Sequence, residues 1–507
     1  MAPGPAPAPS STLLPSRVRN SRASVTLAAL LAVAGGVTVA PAQAQSTRDA
    51  VLRHVEHYAG DYGAMAQEIW DLAEVGYQEH ESSQILQERL RAAGFRVEAG
   101  VAGIPTAFVA EWGSGGPILG IMAEFDALPG ITQDRTPERN PIEGKPAGHA
   151  CGHHLFGTGS VAAGLAAKEW LESTGAPGTI RVYGTPAEEG GAGKVYMVRA
   201  GLMDDVEVMV HWHPSSSNTA NAATSLANKS AKFRFTGVSA HAAGAPDRGR
   251  SALDGVEAMN HMVNLMREHV PSSTRIHYVI TYGGAAPNVI PDFAEVFYYV
   301  RHPDPKEVQR IFDWVADAAE GAALGTGTQV EYEVIHGIYN VLMNVTLQEV
   351  MHANLQQVGG VEYTPEERRF AEMIRSTLGE DAPPVDQAAE VLPFEIDPSA
   401  AGRGSTDVAD VSWAVPTVGL RAATWVPGTS SHSWQAVAAG GTTIGEKGMV
   451  VAAKTMALTL VDLFQDEDLR VRARAEWEER RGPDFVYEPL LGDRDPPLDY
   501  RVRPGGS

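Results

Sequence analysis

The stretch Ile180-Arg181-Val182-Tyr183-Gly184-Thr185-Pro186-Ala187-Glu188-Glu189-Gly190-Gly191 decides the fold. Its apolar start, 180–183, reads as a buried strand, and the chain then enters a loop marked by proline and glycine that carries two adjacent carboxylates. Comparable short runs occur at 107–110, 118–122 and 206–210, and 161–171 reads as the crossover helix between two of them. Strands alternating with helices predict a mostly parallel, mixed sheet flanked by helices, the α/β class. Open sheets of this kind place their chemistry where strands end and loops begin.

Outward from that core, 47–94 reads as helices, with Gly94 as the stop. Between 225 and 341 the pattern changes. Runs at 231–235, 275–281, 295–301 and 329–334 alternate or carry β-branched and aromatic residues. Helical stretches at 251–269 and 305–324 separate them. The order strand, helix, strand, strand, helix, strand predicts an α+β, ferredoxin-like domain inserted into the larger one. The larger domain is then 45–224 and 342–465. Residues 379–404 read as a long loop, and the sheet resumes at 417–422. An amphipathic helix follows, with Met449, Ala453, Met456, Leu460 and Phe464 on one face. From 466 to 507 charge and proline dominate, predicting a surface appendage.

The chain of 507 residues carries 40 Lys+Arg against 62 Asp+Glu, a net charge of −22. That balance excludes a broad cationic face for nucleic acid or for anionic membranes. One cysteine excludes an intramolecular disulfide framework. The first 44 residues hold Arg17, Arg19 and Arg22 and no acid; an apolar run at 25–40 and Ala42-Gln43-Ala44 follow. This reads as a secretory signal cleaved after Ala44, so a periplasmic or secreted protein is expected. Gly35, Gly36 and Thr38 interrupt the run, which is short for a span. No later stretch approaches membrane-crossing length, and no stable membrane association is expected.

Four clusters carry candidate chemistry. His149-Ala150-Cys151-Gly152-His153-His154 sets the only cysteine among three histidines, just before a helix. Thiolate and imidazole suit zinc-like ions, and ligands two apart do not share a helix face, so Cys151 and His153 are expected on the preceding turn. Glu188-Glu189 offers one carboxylate for a cation and one for proton transfer, although acids also suit a plain helix start. His211-Trp212-His213-Pro214 ends an apolar strand, where either histidine can ligate. Ser430-Ser431-His432-Ser433-Trp434 lies between a strand and a helix. A cysteine hydrolase with Cys151 as nucleophile and His153 as base is the rival reading, but it leaves Glu188, His213 and His432 unexplained.

These clusters, with Ala123-Glu124-Phe125-Asp126-Ala127-Leu128, Ser239-Ala240-His241-Ala242, Pro287-Asn288-Val289 and the run 405–413, resemble the M20 metallopeptidase/amidohydrolase family in its H-A-C-G-H branch. The resemblance runs over about 50–465. It implies a catalytic domain holding two divalent metal ions, zinc or manganese, and a lid at 225–341 that dimerises. By motif position Cys151, His153, Glu189, His213 and His432 would be ligands and Glu188 the general base. Asp126 would orient the ligands. His241 would reach the partner subunit's site, and Asn288 and Arg301 would hold substrate. Glu124 stands where other branches carry a ligand histidine, and His154 where many relatives have Asp. The implied activity is metal-dependent hydrolysis of the amide bond of an N-aroyl or N-acyl amino acid, a small molecule bearing a carboxylate. A dipeptidase or N-acyl-amino-acid deacylase of the same mechanism, or a silent binding protein on this scaffold, are the alternatives. The partner is expected to be a second copy, or a related subunit in a heteromer; no nucleic acid is expected.

Overall fold

The central sheet has six strands in the order Arg96–Ala99, Phe108–Ser114, Gly178–Gly184, Ile118–Ala123, Val208–Ser215, Thr417–Ala423. The last four run parallel, and the first two are added antiparallel. The sheet is therefore mixed and mostly parallel; the run at 107–110 belongs to an antiparallel strand, which the alternation of apolar runs and helices does not predict. This computed structural model describes residues 41–400 and 404–502. Residues 1–40, most of the expected leader, lie outside the described residues.

Both faces of the sheet are covered. On one lie the helices Ala59–Leu72, His153–Thr174, Val345–Val358 and Thr443–Gln465, which bury Ile69, Leu155, Val161, Leu355, Met456 and Leu460. On the other lie Gly193–Arg199 and Val408–Ala414, with Val195, Met197 and Val411 against Met122, Tyr183 and Met209. Parallel strands buried on both faces explain why their sequences are continuous apolar runs.

A four-stranded antiparallel sheet occupies Ala227–Ile338, in the order Arg275–Tyr282, Phe293–His302, Ala227–Thr236, Gln329–Ile338. Helices Ala252–Met266 and Pro305–Thr326 bury Val256, Val263, Phe312 and Val315 against Phe233, Val296 and Tyr298. Along Phe293–His302 every second residue is buried, the period-2 signature of a sheet with one covered face. Strand Arg275–Tyr282 is an edge, and Tyr278, Val279, Ile280 and Tyr282 on it are exposed.

Three expectations need correction. The crossover helix begins earlier than 161: it is His153–Thr174, so His153 is its first residue rather than part of the turn before it. Residues 466–502 are no surface appendage. Helix Glu467–Arg481 buries Leu469, Ala473 and Trp477, and Leu490 and Leu491 are buried beyond it; its charges lie on the other face, so composition alone hides the packing. Thr443–Gln465 is long and apolar enough to cross a membrane, contrary to the reading that no later stretch is. Within its apolar 18-residue window 78% is buried inside the protein, because it is the core helix that fills one face of the sheet.

Candidate metal centre

The parallel strands deliver the candidate groups to one edge. Glu124 and Asp126 follow Ile118–Ala123, Glu188 and Glu189 follow Gly178–Gly184, and His213 lies near the end of Val208–Ser215. The H-A-C-G-H turn comes over this edge from the start of helix His153–Thr174. Gly152 makes the turn possible. Its φ is 76°, and a Cβ there would stand 2.7 Å from Pro214 Cβ. A side chain is costly in that left-handed conformation and the space is filled, so only glycine fits. The turn frees Cys151 and His153 from a common helix register and lets both face the same point. His432 also has positive φ, 60°, and its main-chain N–H donates to the Ala150 carbonyl at 2.9 Å. Strain of this kind persists where the surroundings fix it.

Donor atoms of Cys151, His153 and His213 lie within 4.8 Å of one another, as do those of Cys151, Glu189 and His432, and those of Glu124, His153 and Glu188. Cys151 is thus common to two triads. Its Sγ lies 3.5 Å from His213 Nε2. His432 Nε2 lies 3.0 Å from Glu189 Oε1. The other nitrogens are already committed. His213 Nδ1–H donates to the Pro214 carbonyl at 2.6 Å, and His153 Nδ1–H to Asp126 Oδ1 at 2.8 Å. Such bonds fix the tautomer and leave Nε2 as the ligating atom. Asp126 Oδ2 also accepts from the Glu189 main-chain N–H at 2.9 Å, so one carboxylate orients two of the groups.

His153 Nε2 faces Glu124 Oε2 at 3.2 Å. With Nδ1–H donated to Asp126, a neutral ring would set a lone pair against a carboxylate oxygen. A proton or a cation must sit between them. Burial opposes a charge on His153, but the Cys151, Asp126 and Glu124 charges outweigh it and hold its pKa well above the ordinary value. The hydrogen bonds to Cys151 and Glu189 likewise push His432 up to about 10. Burial, with Glu124, Glu189 and Asp407 nearby, raises the Glu188 carboxyl well above its usual range. A soft thiolate, imidazoles and carboxylates converging on points with excess negative charge fit divalent ions such as zinc.

Two residues of the site, Lys194 and Arg421, escape sequence reasoning, and a third, Asp407, falls in the run 405–413 of the resemblance, which gives it no role. Lys194 is fully buried, with Nζ 2.7 Å from Glu124 Oε1 and 2.7 Å from Asp407 Oδ1. Removing one partner of such a buried network costs about 3–5 kcal/mol. A lysine shortly past Glu189 gives no sign of burial in the sequence. Arg421 pairs in register with His213 across the parallel strands and lines the cavity of about 550 Å³ that opens on Cys151, Glu188, Glu189, His213 and His432. It is the only lysine or arginine among the described residues lining that cavity.

The remaining histidines of the motifs do other work. His149 donates to the Ile69 carbonyl at 3.1 Å, and His154 to the Gly440 carbonyl at 3.0 Å; both pin the helix start to neighbouring elements. His211 lies over Gly419, where a Cβ would stand 2.2 Å from its ring nitrogen. His241 and Asn288 meet on an exposed rim of the four-stranded unit, where Ala242 N–H donates to the Asn288 carbonyl at 3.0 Å. Neither lines the cavity, nor does Arg301, whose guanidinium stacks 5.3 Å from the Tyr299 ring.

A mostly parallel sheet that gathers thiolate, imidazole and carboxylate donors at the carboxyl ends of its strands, beside a cavity of small-molecule size, defines a metal-dependent α/β hydrolase. Residues 120–436 match peptidase family M20/M25/M40, and the chain belongs to that family; it is an M20 metal-dependent amidohydrolase. It is 40% identical over 442 residues to one of the component chains of the p-aminobenzoyl-glutamate hydrolase of Escherichia coli, covering 82% of this chain and 92% of that one. It is 31% identical over 457 residues to the Xaa-Arg dipeptidase of Mus musculus, covering 87% and 94%. The fold matches that of a Bacillus subtilis dinuclear metal-binding peptidase of the M20 family, with TM-score 0.54 and 18% identity over 81% of this chain and 99% of that one.

Proposed function

We propose that the chain hydrolyses the amide of an N-aroyl or N-acyl amino acid with an acidic amine part, of the p-aminobenzoyl-glutamate type. Two divalent ions, zinc or manganese, would be held by Cys151, His153 and His213 and by Cys151, Glu189 and His432, the triads whose donor atoms converge. Such ions would supply Lewis-acid polarisation of the scissile carbonyl and acidification of a water. Glu188 takes the proton of the attacking water and returns it to the departing amine nitrogen. Asp126 keeps His153 and Glu189 in place, and Arg421 pairs with the substrate carboxylate.

The 40% identity to a component chain of the p-aminobenzoyl-glutamate hydrolase is the observation that carries the substrate class; Arg421 suits the α-carboxylate that glutamate conjugates and Xaa-Arg dipeptides share. Among the described residues the only carboxylates lining the cavity are Glu188 and Glu189, both engaged in the chemistry, so no acid there is left to receive an arginine side chain. A panel of p-aminobenzoyl-glutamate, N-acyl amino acids and Xaa-Arg dipeptides, with and without chelator, tests the reading. It expects chelator-sensitive hydrolysis strongest for the glutamate conjugate; preference for Xaa-Arg would overturn the substrate assignment.

We further propose a homodimer through the exposed edge Arg275–Tyr282, in which His241 serves the cavity of the partner. Its exposed apolar side chains and the absence of His241 from its own chain's cavity lining support this. Mixing inactive His241→Ala with inactive Glu188→Gln should restore activity; no recovery, or a stable complex only with a related subunit, would contradict it. Export is proposed from the basic, apolar and A-x-A pattern of 1–44. Amino-terminal sequencing of the protein from its host should begin at Gln45.

A further inference from the structure

The segment after helix Glu467–Arg481 follows a fixed course over the molecule. Tyr487 Oη donates to Asp410 Oδ1 at 2.7 Å. Leu490 and Leu491 pack against Gly337 of the lid strand, where a Cβ would stand 2.5 Å from the Leu491 nitrogen. Arg494 pairs with Glu333 of the same strand at 2.9 Å and donates to the Val334 carbonyl. Arg199, on the catalytic side, donates to the carbonyls of Gly492 and Arg494 at 3.0 and 2.8 Å. The segment then reaches the metal loop. Tyr500 Oη donates to the Glu189 carbonyl at 3.0 Å, and the Arg501 guanidinium donates to the same oxygen. Tyr500 also packs edge-on against Tyr77 at 5.6 Å, and Tyr77 Oη donates to the Gly191 carbonyl at 2.7 Å.

We propose that Tyr500 and Arg501 are positioning residues: by gripping the Glu189 carbonyl from behind, they hold the Glu188–Glu189 loop so that Glu189 faces the cation and Glu188 the water, and the strap 482–502 ties that loop to the lid. The inference rests on the roles proposed for Glu188 and Glu189. The loop needs such a grip. It contains glycines at 190 and 191, Gly190 and Ala187 both have positive φ, and two adjacent carboxylates repel each other. Asp126 holds the loop by one main-chain N–H from inside; the strap holds the neighbouring carbonyl from outside. Together they fix the peptide groups on both sides of Glu189. The Arg501 bond goes to the Glu189 main-chain carbonyl and not to a carboxylate oxygen. Arg494 makes the strap a physical link between lid and loop.

The test compares wild type, Tyr500→Phe, Arg501→Ala, Arg501→Lys and the Tyr500→Phe/Arg501→Ala double variant in the full chain. Thermal melting reports the fold. Zinc and manganese titrated separately into chelated protein report affinity, and steady-state hydrolysis separates kcat from KM. The double variant should melt close to wild type, because Trp477, Tyr487 and Leu491 still anchor the segment. It should bind its more weakly held ion roughly tenfold less tightly and lose about tenfold or more in kcat at similar KM, as loss of a group supporting a ligand does. Arg501→Lys should recover part of the affinity. Tyr500→Phe, which removes only a hydroxyl, should shift affinity in the same direction even if the double variant does not fold. Unchanged affinity and kcat in a folded double variant, or in Tyr500→Phe where the double variant does not fold, overturns the strap's role. A wild type that neither binds ions nor hydrolyses amides overturns instead the assignment of Glu188 and Glu189.

Discussion

The sulfur of Cys151 lies 3.5 Å from Nε2 of His213, a residue 62 positions further along the chain. The contact exists because a strand end and a glycine-broken turn meet over one edge of the sheet. On our reading it marks where a thiolate is shared between two cation sites.

Asp126→Asn should weaken both sites at once. Asparagine offers one acceptor oxygen where two donors, His153 Nδ1–H and Glu189 N–H, are now met. Its amide N–H₂ would face one of them. Ion affinity measured by calorimetry should fall about 10–100-fold. A variant with wild-type affinity would show that the carboxylate is only a fold determinant.

Glu188→Gln should retain the bound ions and lose turnover by a factor of about 10² or more, since the amide keeps the shape but moves no proton. Metal analysis and steady-state rates on one preparation check both halves. Turnover near wild type would remove the proton-transfer role.

Arg421→Leu should raise KM for a glutamate-bearing substrate roughly tenfold or more with little change in kcat, because the pair is made in ground and transition states alike. The corresponding neutral amide should be processed equally by both proteins. Equal KM values for the acidic substrate would send the carboxylate contact elsewhere.

Ion binding should release protons. In the ion-free protein His432, pushed up to about 10 by its bonds to Cys151 and Glu189, and His153, raised by the surrounding anions, are protonated at pH 7. An incoming cation displaces those protons, so apparent affinity rises with pH toward about 10 and falls in acid. Calorimetry in buffers of different ionisation enthalpy should show net proton release at pH 7. Affinity that does not vary with pH would mean that these groups are not ligands.

Asp410 gives a stability prediction. Burial raises its pKa to about 8 although Tyr487 and the Tyr339 N–H both donate to it. The folded state keeps a proton that the unfolded chain gives up near pH 4. This group's contribution is therefore fully present below about pH 4 and is lost as pH rises through about 8. The melting temperature of Asp410→Asn relative to wild type should climb between pH 4 and 8 and level off above. A constant difference would show that Asp410 is ionised in the folded protein.

Much of the site is legible from residues alone. The 180–191 stretch reads as a strand followed by two carboxylates, and strand ends in open sheets face the site. The 293–302 strand shows its covered face by alternation. Motif resemblance separates His213 from His211, which periodicity leaves equal; the structure separates them too, because the ring of His211 is taken up over Gly419. What stays hidden depends on the third dimension. Nothing local in the sequence marks Lys194 as buried, since a lysine inside a protein is recognisable only from the carboxylates that meet it. Arg421 reads as an ordinary strand residue until the register sets it beside His213. The packing of the carboxyl-terminal segment is hidden for the same reason: charge and proline describe its outer face, while Trp477, Leu491 and Tyr500 do the packing.

Counting ions in the wild-type chain and in Cys151→Ala, with hydrolysis of p-aminobenzoyl-glutamate followed on the same samples, tests the central claim most directly. The account predicts two ions per wild-type chain, loss of at least one ion in Cys151→Ala because both triads contain that sulfur, and no measurable hydrolysis by the variant. A Cys151→Ala protein that keeps its full complement of ions and its activity would contradict it.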